Sequence, residues 1–179
     1  MRRFVPLVLF LALAAPLVGQ SPAMPHTPPP ADSPLAPLAF LAGDWEGDAW
    51  MIMGPEGRTA VRQREWVRWM AGGTVLAIQG VGRLASDSSR VVHDAFATIA
   101  LGNDRRTVSF RAQTMHGQLD PTFRIVPNGF DWEMVDPRTK MQIHYEMRLD
   151  AQGRWVEKGF RTGPTGERIQ FFEMTLKRK

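Results

Sequence analysis

The chain has no cysteine, one tyrosine among its 179 residues and four histidines. Without cysteine there is neither a disulfide framework nor a thioether lipid anchor, so the molecule must be held together by its core. The histidines, His26, His93, His116 and His144, are far apart, and none stands two residues from a carboxylate on a clear inward face, so no metal-ligand pattern emerges. His93 and Asp94 are adjacent, which on a strand sends them to opposite faces and prevents them from acting as a pair. A serine nucleophile elbow, a phosphate-binding glycine loop and a dinucleotide fingerprint are also missing. Charge of one sign is scarce as well: the formal net charge is +4, and without Arg2 and Arg3 it rests on 20 basic against 18 acidic residues. With no basic face beyond the run 177–179, so small a bias argues against nucleic acid or an anionic membrane as partner.

What is present suffices for one domain, since 44% of the residues are hydrophobic. Met1-Arg2-Arg3, an apolar segment over 4–18 and small residues after it have the layout of a secretory signal peptide. Residues 1–20 are therefore read as a leader and the mature protein as periplasmic or secreted. The apolar run is shorter than the ~20 residues a spanning helix needs and contains Pro6 and Pro16, so no stable membrane anchor is expected after processing. Residues 21–34, centred on Pro28-Pro29-Pro30, read as a stiff linker, and 35–179 as the domain.

Within the domain, turn signals recur at even spacing. They predict ten strands, over 45–53, 59–70, 74–84, 91–101, 107–116, 122–126, 130–135, 140–149, 154–161 and 168–177, with no helix-period segment between them. Short turns make neighbours antiparallel, and a meander of this length leaves two edges exposed unless it closes. The expected fold is all-β: a ten-stranded antiparallel up-and-down barrel, with a short helical plug at 38–42 ahead of the first strand. A barrel of ten strands has room for a cavity, as one of about eight already does. Alternation turns Met141, Ile143, Tyr145, Met147 and Leu149 inward, and likewise Val108, Phe110, Ala112, Thr114 and His116, and Phe130, Trp132 and Met134. In 61–70 both faces carry polar and apolar residues, and no interior face can be assigned. Gly80-Val81-Gly82 lies within a strand and reads as a bulge or bend.

Leu38-Ala39-Phe40-Leu41-Ala42-Gly43-Asp44-Trp45-Glu46-Gly47, followed by Trp66-Val67-Arg68-Trp69-Met70-Ala71-Gly72-Gly73, resembles the bacterial exported family known as domain of unknown function 1579 (DUF1579). The same stretch is similar to the nitrobindins, which are heme-binding barrels, and more distantly to the lipocalins and fatty-acid-binding proteins of the calycin group. The resemblance implies structural roles for Gly43 and Trp45 at the closed end, with Arg178 or Lys177 packed over the tryptophan. From nitrobindin it also implies a heme held by a histidine on a late strand, but no histidine follows His144. His116 is then the one candidate for an inward iron ligand, and no cofactor is expected.

The remaining signal is soft and aromatic. Phe110, His116, Trp132, Met134, Tyr145 and Met147 are the expected ligand-binding residues, with Phe96 and Phe171 as further candidates for the lining. Arg111 and Arg161 would anchor an acidic head group if they faced inward. The expected function is binding of a small hydrophobic or amphipathic molecule without catalysis. The rival readings are a barrel enzyme using His116 and Tyr145 for proton transfer, a heme protein, and a structural module with no ligand.

Overall fold

Eleven strands account for most of the domain, and each begins or ends where a glycine, proline or Asx turn interrupts an extended run. The computed structural model describes residues 26–163 and 165–179, so the expected leader and residues 21–25 of the expected linker lie outside the described residues. In chain order the strands are β1 (Gly43–Gly54), β2 (Gly57–Met70), β3 (Val75–Leu84), β4 (Val91–Leu101), β5 (Val108–Thr114) and β6 (Gly117–Leu119). They continue with β7 (Thr122–Val126), β8 (Gly129–Val135), β9 (Gln142–Leu149), β10 (Trp155–Thr162) and β11 (Arg168–Arg178).

All ladders are antiparallel, and the sheet runs in the order β6-β5-β4-β3-β2-β1-β11-β10-β9-β8-β7. The first and last strands of the domain therefore pair, Trp45 opposite Arg178 through Met51 opposite Phe172, and the sheet curls on itself like a barrel. Closure differs from the expected one: β6 and β7, consecutive in the chain, are the two free edges. Side chains bridge this seam instead, with Phe110 on β5 packed against Phe123 on β7 at a centroid distance of 5.4 Å.

The count is eleven rather than ten because the predicted strand 107–116 stops at Thr114. Its hydroxyl accepts a hydrogen bond from the His116 N–H at 3.0 Å and donates to the Gly117 carbonyl at 3.0 Å, tying off a turn at Met115-His116. Gly117, with φ of 122°, then starts the short return strand β6. As a result, His116 leaves the alternation that predicted it to face inward and is exposed in the turn.

The expected helical plug is a 3₁₀ segment, Ala36–Leu41, that buries Leu38 and Leu41. Gly43, with φ of 146°, lets the chain leave it and enter β1. Trp45 then lies inside, its indole N–H donating to the Leu41 carbonyl at 2.8 Å and its ring meeting Trp155 edge-on at 5.8 Å. The Arg178 guanidinium lies 4.4 Å from the Trp45 ring centroid and donates to the Ala42 and Phe40 carbonyls. Of the two expected partners, Arg178 takes this place and Lys177 is exposed.

The described part of the linker does not stand free as a spacer. Pro28 and Pro29 lie so close to the turn after β2 that a Cβ on Gly73 would be 2.7 Å from the Pro28 carbonyl oxygen. His26 Nδ1 is 3.3 Å from the Trp69 carbonyl, and Leu35 is fully buried with Leu38, Leu41, Leu76, Ile99 and Leu176 at the closed end.

Candidate functional site

The interior above the closed end is built from two unlike walls. On β8 and β9, side chains at alternate positions bring large rings inward. Trp132 and Tyr145, directly paired across the ladder, stack nearly parallel at 4.1 Å. Phe110 reaches Trp132 from across the seam at 5.8 Å, and Phe171 and Phe172 each meet Tyr145 at 5.6 Å. Both phenylalanines reach it because β11 carries a register shift opposite Gly159 and Phe160. Gly159 makes room: a Cβ there would stand 2.8 Å from Tyr145 Cε1.

The other wall is polar. On β2 the inward set is Val61, Gln63, Glu65, Val67 and Trp69, while Arg62 and Arg64 point outward to Asp48 and Glu46. Gln63 and Glu65 are 2% and 6% exposed, and the Gln63 amide donates to Glu65 Oε1 at 2.7 Å. They lie flat over the glycines paired with them on β3. A Cβ on Gly80 would be 2.6 Å from Glu65 Oε1, and one on Gly82 would be 2.5 Å from Gln63 Oε1. The Gly80-Val81-Gly82 run is therefore a seat for polar side chains, and a register shift against β4 follows it between Gly82 and Arg83.

A second carboxyl comes from β10, where Glu157, 8% exposed, accepts from Trp155 Nε1 at 3.1 Å and from Trp132 Nε1 at 3.4 Å. Loss of water disfavours ionisation of both carboxyls. Burial pushes Glu65 up to about 8, against the Gln63 hydrogen bond and with a further rise from the charge of Glu157. Burial likewise pushes Glu157 up to about 7, against the hydrogen bonds from Trp155 and Trp132. Tyr145 is raised by burial and by Glu157, and its phenol stays protonated. His93, which pairs with Gly82 and shares its inward face, is lowered by burial despite the neighbouring Asp94, and its ring is neutral at pH 7.

Among the described residues, three buried polar atoms of side chains on the inward faces have no partner: Gln63 Oε1, Trp69 Nε1 and Arg161 Nε. Arg161 follows Gly159 on the inward face of β10, toward the end away from the 3₁₀ segment, where Met134, Ile143 and Phe172 remain half-buried. Arg111, the other candidate anchor, points outward to Asp120 at 2.5 Å.

Of the expected ligand-binding residues, Phe110, Trp132 and Tyr145 come together, and Met134 lies inward beside Ile143. Met147 is inward but fully buried, so no water-sized space adjoins it and it belongs to the core. His116 stands apart in its exposed turn and shares no site with Tyr145. Phe96 points outward, 51% exposed, because its partner Gln79 lies on the outer face of β3. Gln63, Glu65, His93 and Glu157 were missed. Their signal was the pair of glycines on the strand beside β2, which mark where side chains from β2 need space.

Two hollows border the sheet. One, of about 300 Å³, lies at the closed end among His26, Asp44, Arg68, Trp69 and Lys179. The other, of about 140 Å³, lies beside the seam between Phe123, Arg124, Trp132 and His144. Trp132 thus borders both this hollow and the interior. Asp131 supports the outer wall there. Burial works against its carboxylate, but hydrogen bonds and charge from Arg148 and Arg124 outweigh this and hold its pKa below the usual range. His144 lies outward, between Glu133 at 3.8 Å and Glu146 at 3.3 Å.

Of the four histidines, His93 alone faces the interior, and it lines neither of these two hollows. Among the described residues no three metal-ligating side chains come together, and no helix is long and apolar enough to cross a membrane.

No family model matches the chain, and no curated protein matches it. Among solved structures it is similar to one described as "Crystal Structure of Rv2717c from M. tuberculosis". The likeness has a TM-score of 0.60 at 13% identity and covers 81% of this chain and 96% of that one. At that identity the likeness concerns the fold alone.

Proposed function

We infer that the protein is an exported, calycin-like barrel of the kind the DUF1579 resemblance implies, and that it binds a small amphipathic molecule without transforming it. The observation that carries this reading is the interior itself. A sheet that needed only a core would fill it with apolar side chains, whereas this one buries two carboxyls and an amide and leaves Gln63 Oε1 and Arg161 Nε without partners. Each buried polar group carries a desolvation penalty of roughly 1–3 kcal/mol unless it is met by a partner. A ligand supplies that partner, and the aromatic wall of Phe110, Trp132 and Tyr145 supplies contact for its apolar part.

Titration with the neutral fluorophore N-phenyl-1-naphthylamine tests the reading. Saturable one-to-one binding is expected, together with quenching of tryptophan emission. Replacement of Trp132 by alanine should weaken it at least tenfold, with the fold checked by circular dichroism. If the dye does not bind, and extracts of the purified protein contain no small molecule by mass spectrometry, the reading fails.

A further inference from the structure

We propose that the hollow at the closed end is a second binding site, separate from the interior, and that it takes the phosphate of a small phosphomonoester. Three parts of the chain meet there. The segment ahead of the sheet brings His26, β2 brings Val67, Arg68 and Trp69, and Lys179 follows directly on β11, beside Gly43 and Asp44 at the start of β1. With a volume of about 300 Å³ the hollow has room for roughly ten waters at ~30 Å³ each, more than a bare phosphate fills.

Its lining offers more donors than acceptors. Trp69 is 3% exposed and borders the hollow, yet its indole N–H has no acceptor among the described residues. A buried donor left in this way is unfavourable until something accepts from it. Arg68 directs one N–H to the Val67 carbonyl at 3.0 Å and another to Asp44, and a guanidinium has five. Lys179 pairs with Glu46, and an ammonium has three. His26 Nδ1 donates to the Trp69 carbonyl at 3.3 Å, and the protonated ring adds a donor at Nε2. Asp44 is the acidic side chain of the lining, and Arg68 already covers it. Arg178 adds a further cation behind this wall, against Gly43.

The donor set selects the ligand. A phosphate monoester carries close to two negative charges and presents three acceptor oxygens, which suits donors arriving from three parts of the chain; a carboxylate offers two oxygens in one plane. The pairs that Arg68 and Lys179 make with Asp44 and Glu46 are solvent-exposed and weak, so both cations are able to turn to a dianion. Ala42, Val67 and Trp69 line the remaining space and give contact to a small apolar ester group.

The probe is phenyl phosphate, titrated at pH 6 and constant ionic strength into the isotopically labelled full chain and followed by NMR. The Trp69 indole N–H resonance, identified by its loss in Trp69→Phe, is expected to move saturably and further than any other indole resonance. Inorganic phosphate and benzoate should bind at least fivefold more weakly, the first for want of an apolar group and the second for want of oxygens. His26→Ala and Lys179→Ala change exposed side chains and should each weaken phenyl phosphate at least threefold with the melting temperature unchanged. Co-sedimentation with vesicles of phosphatidylcholine and phosphatidic acid distinguishes the source of the phosphate: sedimentation relieved by phenyl phosphate assigns a lipid head group, and its absence a free ester, either upholding the site. An unmoved Trp69 resonance, benzoate binding as tightly as phenyl phosphate, or unchanged affinity in both alanine variants would overturn the proposal, and none of these outcomes bears on ligand binding in the interior.

Discussion

Burial disfavours the charged forms of Glu65 and Glu157, so both carboxyls keep their protons to higher pH in the folded than in the unfolded chain. Folding raises both carboxyls from the ordinary value of 4.5, to about 8 and about 7. A raised acid holds its proton more tightly in the folded than in the unfolded state. Its contribution to stability is therefore complete below about pH 4.5 and is lost as pH rises through 7 and 8. The melting temperature should fall between pH 5 and 8.5, and Glu65→Gln and Glu157→Gln should each flatten that fall; a parallel pH profile in the variants would contradict this account. Asp131 behaves in the opposite sense. Its lowered pKa means that Asp131→Asn should cost stability at pH 7, a deficit that closes as the wild type is acidified through its folded pKa. Urea titrations at pH 7 and pH 3 measure both ends.

Glycines at the scale of the strands decide where the interior side chains can stand. At Gly159 a methyl group would meet Tyr145 at 2.8 Å and the Phe172 Cβ at 3.0 Å, both parts of a packed aromatic cluster. Gly159→Ala should therefore cost about 1–3 kcal/mol of unfolding free energy, read from urea denaturation. At Gly80 the neighbour is the flexible end of Glu65. Gly80→Ala should move that carboxyl and change the pH profile more than the stability near pH 5. These contacts also explain what could be read from the sequence. Strand limits were legible because turns are spelled by Gly, Pro, Asn and Asp, and Phe110, Trp132 and Tyr145 were legible because their strands alternate cleanly. Hydrophobic alternation fails on β2, where the inward set itself contains Gln63 and Glu65 and the outward set Arg62 and Arg64. The end of β5 was misjudged because Thr114 stops it with side-chain hydrogen bonds, which no periodicity reveals. The Trp45 motif, by contrast, found its lid: Arg178→Ala should lower the melting temperature by a few degrees and Lys177→Ala should leave it unchanged.

For the whole molecule, stability is concentrated away from the seam. The long ladders among β1, β2, β3 and β11 surround the closed end, whereas β6 and β7 each have one unpaired edge. Amide hydrogen exchange should therefore be fastest on the free edges of β6 and β7 and slowest in β1 and β2. Leu35 ties the segment ahead of the sheet to the core, so Leu35→Ala should cost about 2–5 kcal/mol, a loss that a free spacer would not show.

The seam has one more consequence. Because its two edges are consecutive in the chain, the peptide joining Asp120 to Pro121 is crossed by no ladder of hydrogen bonds: β6 turns back to β5, and β7 goes forward to β8. Each side of that peptide is a complete meander, and the two meet along the β1–β11 ladder, formed by the most distant strands of the domain. The gene can be cut there. Two separately expressed halves, ending at Asp120 and beginning at Pro121, should find each other in solution and rebuild the sheet, with the two walls of the interior assembled from both.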